Sequence, residues 1–299
     1  MPAASLHALL QHSIDYAGLF PPAELALEPA LENQSAYVRS ADSWMLGTFV
    51  LPIGKFAAAA SHFALFDSEH RLRISALGPK TTNASEFEQA LSEAAKAIKS
   101  LSGARPAVLV EQLEMPLPPG SIHESLGAAK ALLSDLELKI FWETPADLAV
   151  ETIEALVSAG SGFKLRTGGV TADVFPSSRH LARALVASGG CRVPIKFTAG
   201  LHHPVRLFHP SVQTKMHGFL NVLGAGVLAA EHSWTEEQTA EMLNDEEPGS
   251  FLFDDARFAW RDAEISTERI NARRKLVTSL GSCSFDEPRD DLRALALLP

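Results

Sequence analysis

The feature that most constrains the fold of this chain is a repeated alternation of short, β-rich apolar runs with longer amphipathic stretches. Such alternation is typical of parallel strands that are joined by crossover helices. We count about eight runs, at Leu46–Pro52, Arg71–Leu77, Ala107–Leu113, Leu138–Glu143, Gly162–Arg166, Val193–Thr198, Gly218–Val222 and Ser250–Asp254. Because eight parallel strands close naturally on themselves, the sequence predicts an α/β protein with a (β/α)8 TIM barrel fold.

The spacing of the runs also bears on domain organisation. The chain has 299 residues, a length at which a barrel commonly forms one unit, and we predict a single domain over residues 1–299. The first 44 residues contain no comparable run, so residues 1–44 are predicted to be an N-terminal extension or a cap over the barrel. Pro204–His217 is poor helix material with two prolines, and we predict a functional loop there.

Composition narrows the classes of partner. The formal net charge of -10 argues against attraction to nucleic acid or to an anionic membrane surface. Two cysteines without CxxC spacing fit a reducing compartment. The beginning of the chain lacks the pattern of a signal peptide, and no apolar stretch is long enough to span a membrane. We therefore predict a cytoplasmic protein that binds a small molecule, and a homo-oligomer is compatible with the sequence.

Positive charges recur near the carboxyl ends of two neighbouring predicted strands. Alternate residues of a barrel strand point inward, and those near its carboxyl end line the site. Lys164 and Arg166 are two residues apart in GFKLR, and Lys196 and Thr198 are two apart in VPIKFT. Three cations are thus predicted to point into the barrel. An unpaired buried cation costs roughly several kcal/mol, so anionic groups must lie close to these three.

Those anionic groups belong either to the protein or to a ligand. The candidate partners within the chain are Glu143, Glu111, Asp254 and Asp255. If carboxylates neutralise every cation, the charges form a closed network that stiffens the barrel, and a non-catalytic anion-binding barrel is the alternative to an enzyme. If they do not, the cations indicate a small anionic substrate, since inward charges at strand ends more often serve a site.

The first hypothesis for an enzyme uses an amine nucleophile. Lys196 would form a Schiff base with a carbonyl compound, and its pKa would be lowered by the like charges of Lys164 and Arg166. Glu143 or a histidine would move protons. Arg166 and the backbone amides of Thr167-Gly168-Gly169 would hold a carboxylate or phosphate. This hypothesis describes a lyase or aldolase acting on a small anionic carbonyl or sugar-acid-like compound.

Two short segments carry a family resemblance. Lys196-Phe-Thr198-Ala-Gly200 resembles the lysine-containing strand motif of the deoxyribose-phosphate aldolase family, and Gly162-Phe-Lys164-Leu-Arg-Thr-Gly168-Gly169 resembles the second lysine strand of that family. The likeness covers these segments alone, and their order along the chain is reversed relative to the family. The resemblance implies a TIM-barrel lyase with Lys196 as the Schiff-base lysine and Lys164 as the residue that perturbs its pKa.

Two further hypotheses use the histidines that follow the Lys196 run. His202 and His203 with Glu143 would form a divalent-metal site of a lyase or hydrolase. Alternatively, the cations hold the substrate while either histidine and Glu143 act as acid and base in an isomerase or dehydratase. No nucleotide-binding glycine motif or serine elbow is present, and we predict no organic cofactor. The catalytic candidates are Lys196, Lys164, Glu143, His202 and His203, and the substrate-binding candidates are Arg166, Thr167, Gly168, Gly169, Thr198, Asn221 and Glu111.

Overall fold

Strands and helices alternate along the chain, and a computed structural model describes them for residues 2–102 and 106–299. The strands in this part of the chain are β1 (Ile14–Tyr16), β2 (Leu46–Pro52), β3 (Leu72–Leu77), β4 (Val108–Pro116), β5 (Lys139–Glu143), β6 (Gly162–Arg166), β7 (Ile195–Thr198), β8 (Leu207–His209), β9 (Thr214–Met216), β10 (Phe251–Phe253), β11 (Arg257–Trp260), β12 (Ala263–Ser266) and β13 (Val277–Ser282). The α-helices of the same residues are α1 (Ala4–Leu10), α2 (Leu27–Tyr37), α3 (Phe56–Ala59), α4 (Ala84–Ser102), α5 (Ile122–Leu133), α6 (Ala149–Leu156), α7 (Ser178–Cys191), α8 (Phe219–His232), α9 (Glu236–Leu243), α10 (Thr267–Arg273) and α11 (Asp286–Ala294).

A closed parallel barrel organises the molecule. Its strands neighbour one another in the order β1, β13, β7, β6, β5, β4, β3, β2, and β2 pairs with β1 to complete the circle. Every pairing in this barrel is parallel. Helices connect successive strands on the outside, as right-handed packing of crossover connections requires. The predicted (β/α)8 TIM barrel fold is therefore confirmed.

Six of the eight predicted runs are barrel strands, β2 to β7. Their apolar side chains face both the helices and the barrel interior, and this two-sided burial produces the near-continuous apolar runs. The largest boundary error is at β4, which continues to Pro116, whereas the sequence predicted an end at Leu113. This error matters for the site, because the omitted residues include an acidic side chain.

The two remaining runs are not barrel strands. Gly218–Val222 leads into α8, where every residue from Phe219 to Ala229 is buried. A short run that is apolar on all sides fits a buried helix as well as a buried strand. Ser250–Asp254 contains β10, which pairs with β11 in an antiparallel sheet outside the barrel.

The first and last barrel strands are β1 and β13. β1 has three residues and lies inside the segment predicted to be an extension or cap, so that prediction is wrong for Ile14–Tyr16. β13 has the sequence VTSLGS, in which small polar residues weaken the apolar signal of a strand. Pro204–His217, predicted to be a loop, carries the short hairpin of β8 and β9. Within the described residues, no helix has the length and apolarity needed to cross a membrane.

Asn221 is a structural residue of α8 and not a substrate contact, so this prediction is wrong. Its side chain is fully buried, and its Oδ1 accepts a hydrogen bond of 2.9 Å from the backbone N–H of Arg206. Its Nδ2 donates to the carbonyls of Met242 and Asp245, at 2.8 Å each. The amide thus joins α8 to the β8–β9 hairpin and to the end of α9.

Replacing Asn221 with alanine is expected to lower the free energy of unfolding by about 2 kcal/mol, since buried backbone groups lose their partners. Urea denaturation measures this change. Gln89→Ala is the control, because Gln89 is exposed on α4 and bonds only to Glu93 among the described residues. That control is expected to stay within about 0.5 kcal/mol of the native protein. Equal stabilities of the Asn221 variant and the control would contradict the structural role.

Candidate active site

Two buried lysines lie side by side at the centre of the barrel. Lys164 of β6 and Lys196 of β7 are paired in the strand register, so both ammonium groups point to the same interior level. Lys196 Nζ donates three hydrogen bonds: to Asp15 Oδ2 at 2.8 Å, to Gln112 Oε1 at 2.8 Å and to Glu114 Oε1 at 2.5 Å. All three N–H donors of this ammonium group therefore have oxygen acceptors.

Glu114 of β4 bridges the two lysines. Its Oε2 lies 2.9 Å from Lys164 Nζ, while its Oε1 contacts Lys196 and also accepts a hydrogen bond from Ser75. Lys164 Nζ lies 3.0 Å from Glu143 Oε2 as well. Glu143 continues the chain of charges outward, because its Oε1 is 3.4 Å from Nε of the half-exposed Arg166. We call Asp15, Glu114, Glu143, Lys164, Lys196 and Arg166 the ion cluster.

The ion cluster balances three carboxylates against three cations. Burial raises the pKa of Glu114, but Lys164 and Lys196 outweigh burial and hold that pKa well below its usual range. Burial lowers the pKa of Lys196, but Asp15 and Glu114 outweigh it, so the pKa of Lys196 is raised. The predicted lowering is therefore wrong, because two carboxylates contact Lys196 directly and neutralise the effect of the neighbouring cations.

The ion cluster is open at the carboxyl-terminal end of the barrel. A cavity of about 460 Å³ lies there, and Lys164, Lys196, Glu114 and Arg166 all line it. The rest of its wall includes Thr198 at the end of β7 and several apolar side chains, namely Phe20, Val50, Leu77, Val170, Val174 and Phe197. We call this space the lysine cavity. A molecule that enters it can contact both lysines.

The segment after β6 contributes to the cavity only in part. Thr167 is fully buried, and its hydroxyl donates to the carbonyl of Ala199. A Cβ on Gly168 would lie 2.9 Å from Gly200 Cα, which is too close, so glycine allows the two loops to approach. Gly169 lines the lysine cavity. The structure thus places Gly169 at the cavity and gives Thr167 and Gly168 packing roles.

His202 and His203 diverge from each other. His202 lines the lysine cavity, and its Nδ1 is 3.2 Å from Glu287 Oε2 and 3.8 Å from Cys283 Sγ. Burial lowers the pKa of His202, but the contacts with Cys283 and Glu287 outweigh it and raise the pKa to about 9. His203 Nδ1 lies 2.7 Å from Asp291 Oδ2 and does not line the lysine cavity. Only His202 is therefore close to the lysines.

The predicted metal-binding set is not assembled. Within residues 2–102 and 106–299, no three His, Cys, Asp and Glu side chains are grouped so that they could hold a metal ion. Nδ1 atoms of His202 and His203 contact carboxylates of α11, and Glu143 contacts Lys164 and Arg166. Each of the three side chains thus faces a different partner.

Glu111 was predicted at the site but lies near the opposite end of the barrel. It forms an ion pair with Arg73 of β3, with Arg73 Nε 2.8 Å from Glu111 Oε1. β4 runs three residues further than predicted, so Glu114 occupies the position near the lysines. Asp254 and Asp255, the other predicted partners, accept hydrogen bonds from backbone N–H groups outside the barrel. Asp15 and Gln112 were likewise not predicted to contact Lys196.

The fold and the site together define a class: a (β/α)8 barrel with a buried lysine–carboxylate cluster beneath an open cavity. No protein-family model and no curated protein matches this chain. Among solved structures, a type I 3-dehydroquinate dehydratase from Clostridium difficile aligns at a TM-score of 0.40 with 9% identity, over 78% of this chain and 92% of its own. A triazine hydrolase from Arthrobacter aurescens aligns at a TM-score of 0.33 with 11% identity, over 64% of this chain and 53% of its own. Both likenesses are too distant to identify a family.

Proposed function

We propose that the protein is an enzyme of the lyase or aldolase type, which forms a Schiff base between a buried lysine and a small anionic carbonyl or sugar-acid-like compound. The observation that carries this proposal is the pair of lysines bridged by Glu114 at the floor of an open cavity. Schiff-base formation requires an amine that a substrate can reach and a nearby group that accepts its proton. The lysine cavity and the adjoining carboxylates meet both requirements.

The geometry favours Lys164 as the nucleophile in place of Lys196. All three donors of Lys196 are engaged, and its raised pKa keeps the amine protonated. Lys164 contacts two carboxylates among the described residues, which leaves one donor direction for a substrate. In this assignment Lys196 is a positioning residue that holds Glu114 in its ionised form.

Glu143 is well placed to move the protons of this reaction. It takes a proton from the Lys164 ammonium, and the free amine attacks the carbonyl carbon of the substrate. A C–N bond forms as the carbonyl π bond breaks, and the oxygen takes up one proton from the attacking nitrogen to give a neutral carbinolamine. Glu143 then returns its proton to that hydroxyl, which leaves as water and gives the iminium ion. Glu143 contacts both Lys164 and Arg166, which line the lysine cavity, and its partly exposed carboxylate suits a group that exchanges protons with them.

The rim of the lysine cavity supports an anionic substrate. The six groups of the ion cluster balance one another, and Glu287 pairs with His202, so an anion must be held by cations that exchange a protein carboxylate for the ligand. His202 has a pKa raised to about 9 and carries positive charge at neutral pH. Arg166 is half-exposed at the same cavity, so its guanidinium can turn from Glu143 to a substrate carboxylate or phosphate. The cavity volume of about 460 Å³ suits a small molecule.

Borohydride trapping tests the proposal. The protein is incubated with a panel of small keto acids and aldehydes, reduced with borohydride, and analysed by peptide mass spectrometry. We expect a covalent adduct on the peptide that contains Lys164, and we expect Lys164→Met to abolish it. Lys96→Met, at an exposed position of α4, is the matched control and should leave the adduct in place.

Either of two other results would change the proposal. An adduct on Lys196 would return the nucleophile to the residue that the sequence predicted. No adduct with any compound of the panel would contradict Schiff-base chemistry. The balanced ion cluster and the raised pKa of Lys196 would then favour the second candidate, an isomerase or dehydratase in which charged lysines hold the substrate while His202 and Glu143 transfer protons.

A further inference from the structure

A second cavity lies at the amino-terminal end of the barrel, opposite the lysine cavity. Its volume is about 540 Å³, and residues at the beginnings of the barrel strands line it, including Gly47, Arg73, Lys139, Gly162 and Thr278. The carboxyl-terminal end carries the proposed reaction, and nothing in that proposal uses the opposite end. We call this second space the basal cavity.

Basic side chains dominate the charged wall of the basal cavity. Lys139, Arg274 and Lys275 line it together with Arg73. Arg73 is neutralised by Glu111. Lys139 and Lys275 are exposed and form no ion pair with any described residue. In a chain whose formal net charge is -10, such a group of unpaired cations on one concave wall needs an explanation.

Arg274 is a further cation of this wall that has no carboxylate partner among the described residues. Its guanidinium donates to the backbone carbonyls of Gln11, Val277 and Thr278, and it contacts no carboxylate among the described residues. Its Nε is buried without a hydrogen-bond partner within those residues. Burial lowers the pKa of Arg274 to about 10, although Asp15 opposes the change. A cation held in this way is stabilised by any anion that binds beside it.

Asp15, the acidic residue of this wall, is not free to neutralise its cations. Asp15 lines the basal cavity, but its Oδ1 accepts hydrogen bonds from the backbone N–H and the hydroxyl of Thr48. Its Oδ2 accepts from Lys196 and Ser279. Both oxygens are thus occupied by partners inside the barrel, and the cations of the wall remain available to a ligand.

We propose that the basal cavity binds a small multivalent anion, with phosphate or carboxylate groups, between Lys139, Arg274 and Lys275. Two flexible ammonium groups and one fixed guanidinium suit a ligand with several negatively charged oxygens. The site is independent of the proposed Schiff-base reaction. Its floor nevertheless adjoins the lysine cavity, since Asp15 and Gln112 line the basal cavity and both accept hydrogen bonds from Lys196.

Isothermal titration calorimetry at constant ionic strength tests the site, with inorganic phosphate, pyrophosphate and citrate as probes. We expect at least one probe to bind, and the double variant Lys139→Gln/Lys275→Gln to weaken its affinity at least tenfold. Lys55→Gln/Lys96→Gln removes two exposed lysines elsewhere and changes the net charge equally. This matched control should keep the native affinity. Arg166→Gln removes a cation of the lysine cavity and reports whether a probe binds there instead.

The other outcomes overturn the proposal. Equal weakening in both double variants would mean that the anion responds to net charge alone. Loss of binding in Arg166→Gln, with affinity retained in Lys139→Gln/Lys275→Gln, would place the anion in the lysine cavity. The absence of binding by all three probes would remove the basis for a basal site. None of these results depends on whether a Schiff base forms.

Discussion

Replacing Glu114 with glutamine is expected to lower the free energy of unfolding by roughly 3–5 kcal/mol at pH 7. Glu114 is almost completely buried, and it is the one carboxylate that contacts both Lys164 and Lys196 in the described structure. The glutamine amide keeps the shape of the side chain and one hydrogen-bond acceptor, but it removes the negative charge. The three cations of the ion cluster then face only two carboxylates, and the desolvation of the two buried ammonium groups is no longer fully offset.

Glu111→Gln is a matched control for this prediction. It changes the same residue type on the same strand, β4, but its ion pair with Arg73 is partly exposed to solvent. Partly exposed pairs contribute little, so the control should cost less than about 1 kcal/mol. Urea unfolding measures both, with an unchanged dependence on urea indicating a change of stability alone. If the two variants lose equal stability, the buried cluster contributes no more than a surface pair.

The fold was largely predictable because most barrel strands are apolar on both faces. β2 to β7 stand out in the sequence, and their alternation with amphipathic stretches predicts the parallel barrel. β1 and β13 could not be recognised in the same way. β1 is three residues long, and β13 contains Thr278, Ser279, Gly281 and Ser282. The barrel tolerates these strands because their neighbours supply the apolar packing, which is a tertiary effect.

The site was predictable where strand parity decides the direction of a side chain. Lys164 and Lys196 are flanked by apolar residues in clear strands, so their inward direction follows from alternation. Glu143, at the end of a clear strand, was also predicted as a partner, and it lies 3.0 Å from Lys164. The other acidic partners depend on where strands end and which strands meet. Glu114 lies beyond the predicted end of β4, and Asp15 lies on the strand that the sequence did not reveal. The cations could therefore be predicted, but the balance of charge around them could not.

A second large effect is expected from pH, through His217. This side chain is buried at the end of the β8–β9 hairpin, and its Nε2 donates to the carbonyl of Pro176 at 2.7 Å. Its Nδ1 accepts from the guanidinium of Arg206 at 3.1 Å. Burial lowers the pKa of His217 to about 4; the Pro176 carbonyl opposes this change, and Arg206 adds to it. The folded protein therefore holds a neutral imidazole over most of the acidic range.

The sign of the effect follows from this lowered pKa. In the unfolded chain the imidazole takes up a proton near pH 6.5, whereas in the folded protein it does so near pH 4. The contribution of His217 is therefore complete above pH 6.5 and is lost as the pH falls toward 4. A difference of this size corresponds to about 3 kcal/mol, since each pKa unit is worth about 1.4 kcal/mol.

Urea unfolding between pH 7 and pH 4 tests this expectation with His217→Gln. Glutamine can still donate to the Pro176 carbonyl but does not titrate, so the variant should lose about 3 kcal/mol less than the native protein over this range. His123→Gln, at an exposed position of α5, should retain the native pH dependence. Parallel curves for native protein and His217→Gln would mean that the imidazole is protonated equally in both states, and Arg206 would then have to move away from it.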